Sequence, residues 1–336
     1  MTRSITRRAI TRGALAAGTL AMPMLNGSAR AQAIKLVFSH HLPTAHLGHI
    51  TAEKFAGYVA EGTKGQITVD IKPSSQLFNL RTSAEALQLG TLDICWSDLG
   101  TLGNWQPQFG FVSLPFLFSG FDHVKKVMYG KVGEQVAADV KATLGIEVLS
   151  LGASGFRVFL GRKEIRTAGD CRGIKLRVPE IPTWVEMARA LGANPTPIPA
   201  GEIYTALQTG VVDAMEAPAD FIVSSKLFEV GPMSTRTHHI FTEVSMFSSA
   251  QRMAALTAEQ RKVIQDAARR AVQVEMWEAN LKEQTDAWAT LAQRTKAIAD
   301  PDLASFREKM KPVLENFVKR TGAKGKAFVD GALAEG

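Results

Sequence analysis

The sequence predicts an α/β fold of two units with one very long helix. Short buried strands alternate with helices along most of the chain, which is typical of α/β domains. The chain has 336 residues and 46% apolar content, enough for one large core or two ordinary ones. Residues 257–293 contain neither Gly nor Pro and so predict a helix roughly 50 Å long, more than the diameter of one domain.

The N-terminal half predicts a regular succession of elements. Alternating or continuous apolar residues indicate strands, and apolar residues three to four apart indicate helices that Gly residues close. We expect strands at 34–39, 67–71, 92–97 and 146–151, and helices at 47–61, before Gly90, and at 122–144. The small residues near Ala153 suit a hinge, and a strand that carries Arg157 follows them.

The C-terminal half predicts a second α/β unit and the long helix. A strand at 174–178 and a helix at 183–191 are followed by a strand at 244–249 that crosses back to the first unit. Thr257 and Gln260 form a capping-box pattern at the start of the long helix. Its apolar stripe comprises Val263, Ala267, Ala271, Val274, Trp277, Leu281, Trp288 and Leu291. A coiled coil is the alternative to a helix that lies across both lobes, and a last amphipathic helix is expected at 302–321.

The N-terminus carries most of the positive charge. The formal charge of +7 includes five arginines in residues 1–33, which hold no acidic residue. The remaining 34 basic and 32 acidic residues leave only +2, so a nucleic-acid partner is not expected. A basic start, an apolar stretch and small residues predict a signal peptide cleaved near Ala31 or Ala33, and hence a periplasmic protein. Arg7-Arg8 resembles a twin-arginine signal, while ordinary Sec export stays open.

Enzyme and metal motifs are absent from the sequence. It has no G-x-S-x-G, no P-loop and no G-x-G-x-x-G after a strand, so we expect no catalytic residue and no cofactor. His46 and His49 are spaced H-x-x-H, but no downstream carboxylate completes a zinc pattern, and we expect no metal site. Cys95 and Cys171 form no C-x-x-C and are expected to be buried free thiols.

Residues 170–218 hold the most informative pattern. GIKLRVPE (173–180) places Arg177 at the C-terminal end of a strand, the edge where open α/β sheets bind ligands. A guanidinium there matches a carboxylate or phosphate bidentately. A surface or ion-paired arginine is the alternative interpretation. A second run, GANPTPIPAGEIYTALQTGVVDAMEAP, follows in the sequence at residues 192–218.

These two runs resemble the solute-binding proteins of tripartite ATP-independent periplasmic (TRAP) transporters, the DctP-type family. The resemblance covers essentially the whole chain after Ala33. It implies a two-lobed periplasmic-binding-protein fold with mixed sheets, hinge crossovers and a long helix spanning both domains. Domain I would comprise residues 34–153 plus about 243–282, and domain II residues 154–242 plus about 283–336. It also implies ligand delivery to membrane permease subunits of the DctQ and DctM type, by a protein that we expect to be a monomer and not an enzyme.

The resemblance also assigns candidate ligand-binding residues. The family's carboxylate clamp maps onto Arg177 and its second arginine onto Arg157, for which an ion pair with Glu164 or Glu180 is the structural alternative. The family's polar loop after the third strand maps onto Ser97 and Asp98, and Asp98 could equally cap the following turn. The other candidates are His41 in the first loop, Glu180, Trp184, Ala200, Glu216 and Ala217.

Two departures from the family pattern bear on the ligand. Ala217 stands where the family's asparagine contacts the ligand, and Ala200 where an aromatic residue is usual. Trp184 would fill the space or pack in the core, and Glu180 would accept from hydroxyls and repel a second carboxylate. We therefore expect a hydroxylated monocarboxylate such as a sugar acid. The alternatives are an aromatic or branched hydroxy or keto acid, a C4-dicarboxylate, or an enzyme that acts on a small organic acid.

Overall fold

The computed structural model describes residues 33–336. The predicted signal peptide, its twin-arginine pair and the Ala31 cleavage site lie outside the described residues. Twelve strands are formed by the residues described: β1 (Ile34–Ser39), β2 (Ile67–Lys72), β3 (Ile94–Ser97), β4 (Ile146–Ser150), β5 (Gly155–Gly161), β6 (Lys175–Val178), β7 (Asn194–Pro197), β8 (Ala214–Pro218), β9 (Met233–Thr235), β10 (Phe241–Thr242), β11 (Ser245–Ser249) and β12 (Lys296–Ile298).

The helices cover both faces of the sheets and the C-terminal third of the chain. They are α1 (Leu47–Gly62), α2 (Leu80–Gln88), α3 (Leu99–Leu102), α4 (Phe121–Tyr129), α5 (Lys131–Leu144), α6 (Pro182–Ala190), α7 (Ile203–Thr209), α8 (Ala219–Ser224), α9 (Ala250–Ala254), α10 (Ala258–Ala268), α11 (Trp277–Arg294) and α12 (Leu303–Ala334). The predicted single helix at 122–144 is wrong, because Gly130 adopts an extended conformation between α4 and α5.

The first sheet has the order β2-β1-β3-β11-β4. The pairs β1–β2 and β1–β3 are parallel, which requires the helical crossovers α1 and α2. Strand β11 comes from much later in the chain and pairs antiparallel with both β3 and β4. The strand predicted at 244–249 therefore does return to the first sheet.

The second sheet has the order β12-β9-β5-β8-β6-β7, with β10 paired to β5. Strand β6 runs parallel to β7 and β8, while β5 runs antiparallel to β8 and β9. The chain passes between the two sheets after β4 and again after β10. These two crossings lie side by side, since Ser154 N donates to Thr242 O at 2.9 Å. The lobe boundaries predicted near residues 153 and 243 remain a prediction, and they would fall at these crossings.

The long helix is continuous but contains an irregularity that the sequence did not reveal. Residues Arg269–Met276 form a π-helix between α10 and α11, and the predicted capping box at Thr257 is present. A π-helical turn shifts the side chains that follow relative to a 3.6-residue period. Two members of the predicted stripe are exposed, Val274 at 48% within the π-helix and Leu281 at 47% beyond it, while Ala267, Ala271 and Leu291 are buried.

The last helix is longer than the sequence predicts, and both cysteines are free. Helix α12 runs beyond the predicted end at residue 321, with a non-helical Gly322 inside it. Cys95 and Cys171 are both buried and unbonded, as predicted. Burial raises the pKa of each thiol to about 12, which keeps both in the unreactive thiol form.

Candidate functional site

A cleft between the two sheets is lined by most of the predicted binding residues. The space between its lining atoms is about 680 Å³ including its opening to solvent. One wall comes from the loop after β1 and from α2 and α3. The other comes from β5, β6, β8 and the loop before α7. The cleft is therefore built from both sheets.

Arg177 is placed in the cleft by β6. This short strand is flanked by β7 and β8, so the side chain of its third residue is only 4% exposed. Its Nε and Nη2 donate to Ile198 O at 2.9 and 2.7 Å. Within residues 33–336, nothing accepts from Nη1 and no carboxylate lies within ion-pair distance of the guanidinium.

The Arg177 cation is therefore buried without a counter-ion in direct contact. Burial and then the charge of Arg157 lower its pKa to about 9, against the opposing effect of Glu216 and Glu180. It still carries its charge at neutral pH. Two N–H groups on Nη1 and one on Nη2 remain free, in the planar arrangement that fits a carboxylate.

Arg157 lies in β5 and is held differently. Its Nε donates to Glu216 Oε2, its Nη2 to Glu216 Oε1 at 2.9 Å and Glu216 O at 2.6 Å, and its Nη1 to Thr242 Oγ1 at 2.8 Å. The ion pair considered from the sequence exists, but its partner is Glu216 rather than Glu164 or Glu180. One N–H of Nη1 remains free to bind a ligand. Because Glu216 already balances the charge of Arg157, this arginine offers a ligand a hydrogen bond rather than an unpaired positive charge.

Glu216 and His239 support Arg157 from behind. Glu216 on β8 is fully buried, and burial acts to raise its pKa, but the charge and the hydrogen bonds of Arg157 outweigh this and keep the pKa below its usual value. His239 stacks on Phe159 with the ring centroids 4.7 Å apart. On the other side of the Arg157–Glu216 pair, the centre of the Trp184 ring lies 4.2 Å from the Arg157 guanidinium.

Several neutral polar groups of the cleft lack partners. His41 Nδ1, Thr101 Oγ1 and Trp184 Nε1 are buried and have no hydrogen-bond partner among the described residues. Burial, followed by the charges of His40, His46 and Arg177, lowers the pKa of His41 to about 3, so its imidazole is neutral. Buried polar groups are nearly always paired in folded proteins. Their concentration here indicates a site completed by a polar ligand or by water.

The structure brings most of the predicted site residues together. The cleft is lined by His41, Arg157, Arg177, Glu180, Trp184, Ala200 and Ala217. Ser97, Asp98 and Glu216 lie outside the lining. Ser97 Oγ donates to Leu80 O at 3.3 Å, and Asp98 Oδ1 accepts from Thr101 N at 2.6 Å as the cap of α3. Trp184 serves both roles considered for it, since it lines the cleft and is 2% exposed.

Sequence reasoning missed several lining residues on the first wall. Asn79 caps α2, and Arg81 follows in its first turn with a 43% exposed side chain. Arg81 Nε donates to Glu85 Oε1 at 3.3 Å, while no described residue accepts from either Nη. The sequence predicts only a loop and a helix over residues 73–90. Its capping pattern, N-x-x-T, marks the start of α2 but gives no sign that the first helical turn lines a cleft.

Asp98 and Glu243 form a buried acidic pair beside the crossing between the sheets. Burial raises the pKa of Asp98 to about 6, and burial together with the charge of Asp98 raises the pKa of Glu243 to about 8. Glu243 accepts from Leu99 N and from Ser245 Oγ. At neutral pH the Glu243 carboxyl is mostly protonated, which spares the fold one buried negative charge.

Glu243→Gln is expected to flatten the pH dependence of stability. Between pH 4.5 and about 8 the unfolded chain ionises Glu243 while the folded chain keeps its proton, so stability falls as pH rises through this window. Glutamine does not titrate and removes that part of the slope. Urea denaturation at pH 5 and pH 8 checks this, with the exposed Glu315→Gln as control. A wild-type slope in Glu243→Gln would contradict the assignment.

Comparison with known proteins identifies the family. Residues 38–321 match the model of the bacterial extracellular solute-binding proteins, family 7, also called DctP. The chain belongs to this family. It is a TRAP-type periplasmic solute-binding protein by family, and the family binds solutes without enzymatic turnover. No helix in residues 33–336 combines the length and apolar character needed to cross a bilayer.

Relatives with named ligands are similar along most of their length. The 2,3-diketo-L-gulonate-binding periplasmic protein of Escherichia coli K12 is 30% identical, over 73% of this chain and 74% of the relative. A TRAP solute-binding protein from Polaromonas bound to D-erythronate has a TM-score of 0.83 and 29% identity, over 88% and 98% of the two chains. A sugar-acid-binding protein from Advenella mimigardefordensis in complex with galactonate has a TM-score of 0.86 and 26% identity, over 91% and 99%. These matches confirm the predicted family and fold class.

Proposed function

We propose that this protein works in the periplasm, as a monomer, to capture a hydroxylated monocarboxylate such as a sugar acid and deliver it to membrane permease subunits. The ligand carboxylate pairs with Arg177, and its hydroxyls meet the neutral polar groups of the cleft. The observation that carries this proposal is the buried Arg177 guanidinium, which faces the cleft with three free N–H groups and no carboxylate partner in the described chain. An unpaired buried charge is costly unless a counter-ion arrives.

The chemistry of the other lining groups favours hydroxyls over a second carboxylate. Neutral His41 offers one acceptor and one donor nitrogen, and Thr101 offers a hydroxyl. Glu180 brings a carboxyl group to the same wall as Arg177, where it accepts from hydroxyls and repels an anion. Ala200 and Ala217 leave room for a polyhydroxylated chain. The relatives that bind D-erythronate, galactonate and 2,3-diketo-L-gulonate carry ligands with one carboxylate and several oxygen groups.

Binding is expected to require both the carboxylate and the hydroxyls. In calorimetry with the chain after removal of its predicted signal peptide (the exported chain), galactonate and glucuronate should bind more tightly than succinate, and neutral galactitol should not bind. The same ligands should raise the melting temperature, because they bind only the folded state. Tighter binding of succinate or of an aromatic hydroxy acid would replace the sugar-acid assignment, and binding of galactitol alone would contradict the carboxylate clamp.

Arg81→Ala is expected to weaken binding of long sugar acids selectively. Arg81 lies on the wall opposite Arg177, so only a ligand that extends across the cleft can reach its free Nη groups. Loss of one hydrogen bond to a charged group should lower the affinity for six-carbon galactonate about tenfold. Four-carbon erythronate serves as the internal control, with a much smaller expected change. Equal losses for both ligands in calorimetry would contradict this position for Arg81.

A further inference from the structure

A second cavity lies behind the ligand cleft, on the opposite face of β5. We call it the rear hollow, and its space is about 740 Å³ including its opening. Successive side chains of a strand point to opposite faces. Arg157 accordingly faces the cleft, while its neighbours Phe156 and Val158 face the rear hollow. Helix α11 closes the other side with Leu281 and Trp288.

The rear hollow combines aromatic rings with an unpaired cation. Phe121, Phe156 and Trp288 supply the rings, and the Arg236 guanidinium lies 5.4 Å from the centre of the Trp288 ring. Within residues 33–336 the Arg236 side chain makes no hydrogen bond and no ion pair. The other polar groups that line the hollow are His238, Gln284 and Thr285, and none of them carries a negative charge.

His238 adds a strained backbone to the same place. Its φ of 47° lies in the left-handed region, which non-glycine residues adopt only at a cost in free energy. Its ring stacks on Phe156 with centroids 5.5 Å apart. His238 is exposed to solvent, and Arg236 is the only arginine, lysine, aspartate or glutamate among the residues that line the hollow.

The rear hollow and the ligand clamp share neighbouring residues. Phe156 precedes Arg157, and His238 precedes His239, whose Nε2 lies 3.5 Å from Glu216 Oε2. Ala219 lines the rear hollow directly after Pro218, which lines the cleft. A molecule that moved Phe156 or His238 would therefore act on the residues that hold Arg157.

We propose that the rear hollow is a second binding site, for a small planar aromatic carboxylate, and that its occupancy changes the affinity of the ligand cleft. The carboxylate pairs with Arg236 and the ring packs between Phe156 and Trp288. Aromatic ring and anion are the two features that this lining complements. The three pairs of adjacent residues provide the connection between the two sites.

The binding site is tested with benzoate as the probe, by calorimetry on the exported chain. We expect saturable binding to wild type and to Arg177→Ala, and at least tenfold weaker binding to Arg236→Ala. The control is Arg189→Ala, which removes an exposed arginine that does not line the hollow and should bind benzoate like wild type. Benzamide, with the same ring and no charge, should bind wild type at least tenfold more weakly, which tests the charge without any variant.

The proposed site would be wrong if wild type showed no saturable benzoate binding, or if Arg236→Ala bound benzoate as tightly as wild type. Loss of benzoate binding in Arg177→Ala would also contradict it, because benzoate would then lie in the ligand cleft. The coupling rests on the proposed function and is measured separately. Saturating benzoate should change the galactonate Kd severalfold, and galactonate should change the benzoate Kd by the same factor. An unchanged galactonate Kd in the presence of bound benzoate would overturn the coupling.

Discussion

Arg177→Ala is expected to lower the affinity for galactonate by about two to three orders of magnitude. Truncating one partner of a buried charge pair costs about 2–5 kcal/mol, because the other charge stays buried without a partner. Here the partner is the ligand carboxylate, enclosed in a cleft whose Arg157 is already neutralised by Glu216. Calorimetry on the folded variant measures the loss, with Arg189→Ala as the matched arginine control.

Arg177→Lys separates charge from geometry. Lysine keeps the positive charge, but it cannot donate to Ile198 O and hold a carboxylate bidentately at the same time. We expect an affinity between those of wild type and Arg177→Ala. Wild-type affinity in Arg177→Ala would show that Arg177 is not the clamp, and wild-type affinity in Arg177→Lys would show that bidentate geometry is unimportant.

Glu216→Gln is expected to destabilise the fold by about 3–5 kcal/mol, because it leaves the buried Arg157 guanidinium without its counter-ion. Glu216 is fully buried and Arg157 is 4% exposed, so solvent cannot compensate. Denaturation by urea at pH 7 measures the effect. The control is Glu164→Gln, whose partners Arg166 and Lys296 are largely exposed, so that its loss should change stability far less than the loss of Glu216.

The pH dependence of this difference has a definite sign. The folded-state pKa of Glu216 lies below its unfolded value, so its contribution is present above the unfolded pKa and is lost as the pH falls through the folded pKa. The gap between wild type and Glu216→Gln should therefore shrink only in acid. A gap that stayed constant into strong acid, or a variant as stable as wild type at pH 7, would contradict the assigned ion pair.

The sequence predicted the position of Arg177 because the evidence for it is local. A short strand read from alternating residues places Arg177 at a strand end, and a motif of fixed spacing marks it as the family's arginine. Helix starts such as Thr257 were also predictable, since a capping box needs only four consecutive residues. These features depend only on residues that are close together in the sequence, so they can be predicted without the tertiary structure.

The partners of Arg157 depended on long-range pairing. Glu216 is adjacent to Arg157 only because β5 and β8 pair antiparallel, with Phe159 opposite Glu216 and Arg157 opposite Pro218. The sequence offered Glu164 and Glu180 as partners on proximity in the chain alone. Arg81 was missed for the same reason, since nothing in its own helix shows that α2 forms a wall opposite β6.

The sequence by itself determined the family, the alternation of strands and helices, the return of a late strand to the first sheet and the arginine at the end of β6. Only the tertiary structure decided which charges are paired, which face of the long helix is buried after its π-helical turn, and which side chains share the cleft. The physical reason is that a charge becomes costly or useful only when burial removes its water. Burial is a property of the packed chain: Arg177 lies in the cleft without a carboxylate because β8 directs Glu216 to Arg157 instead.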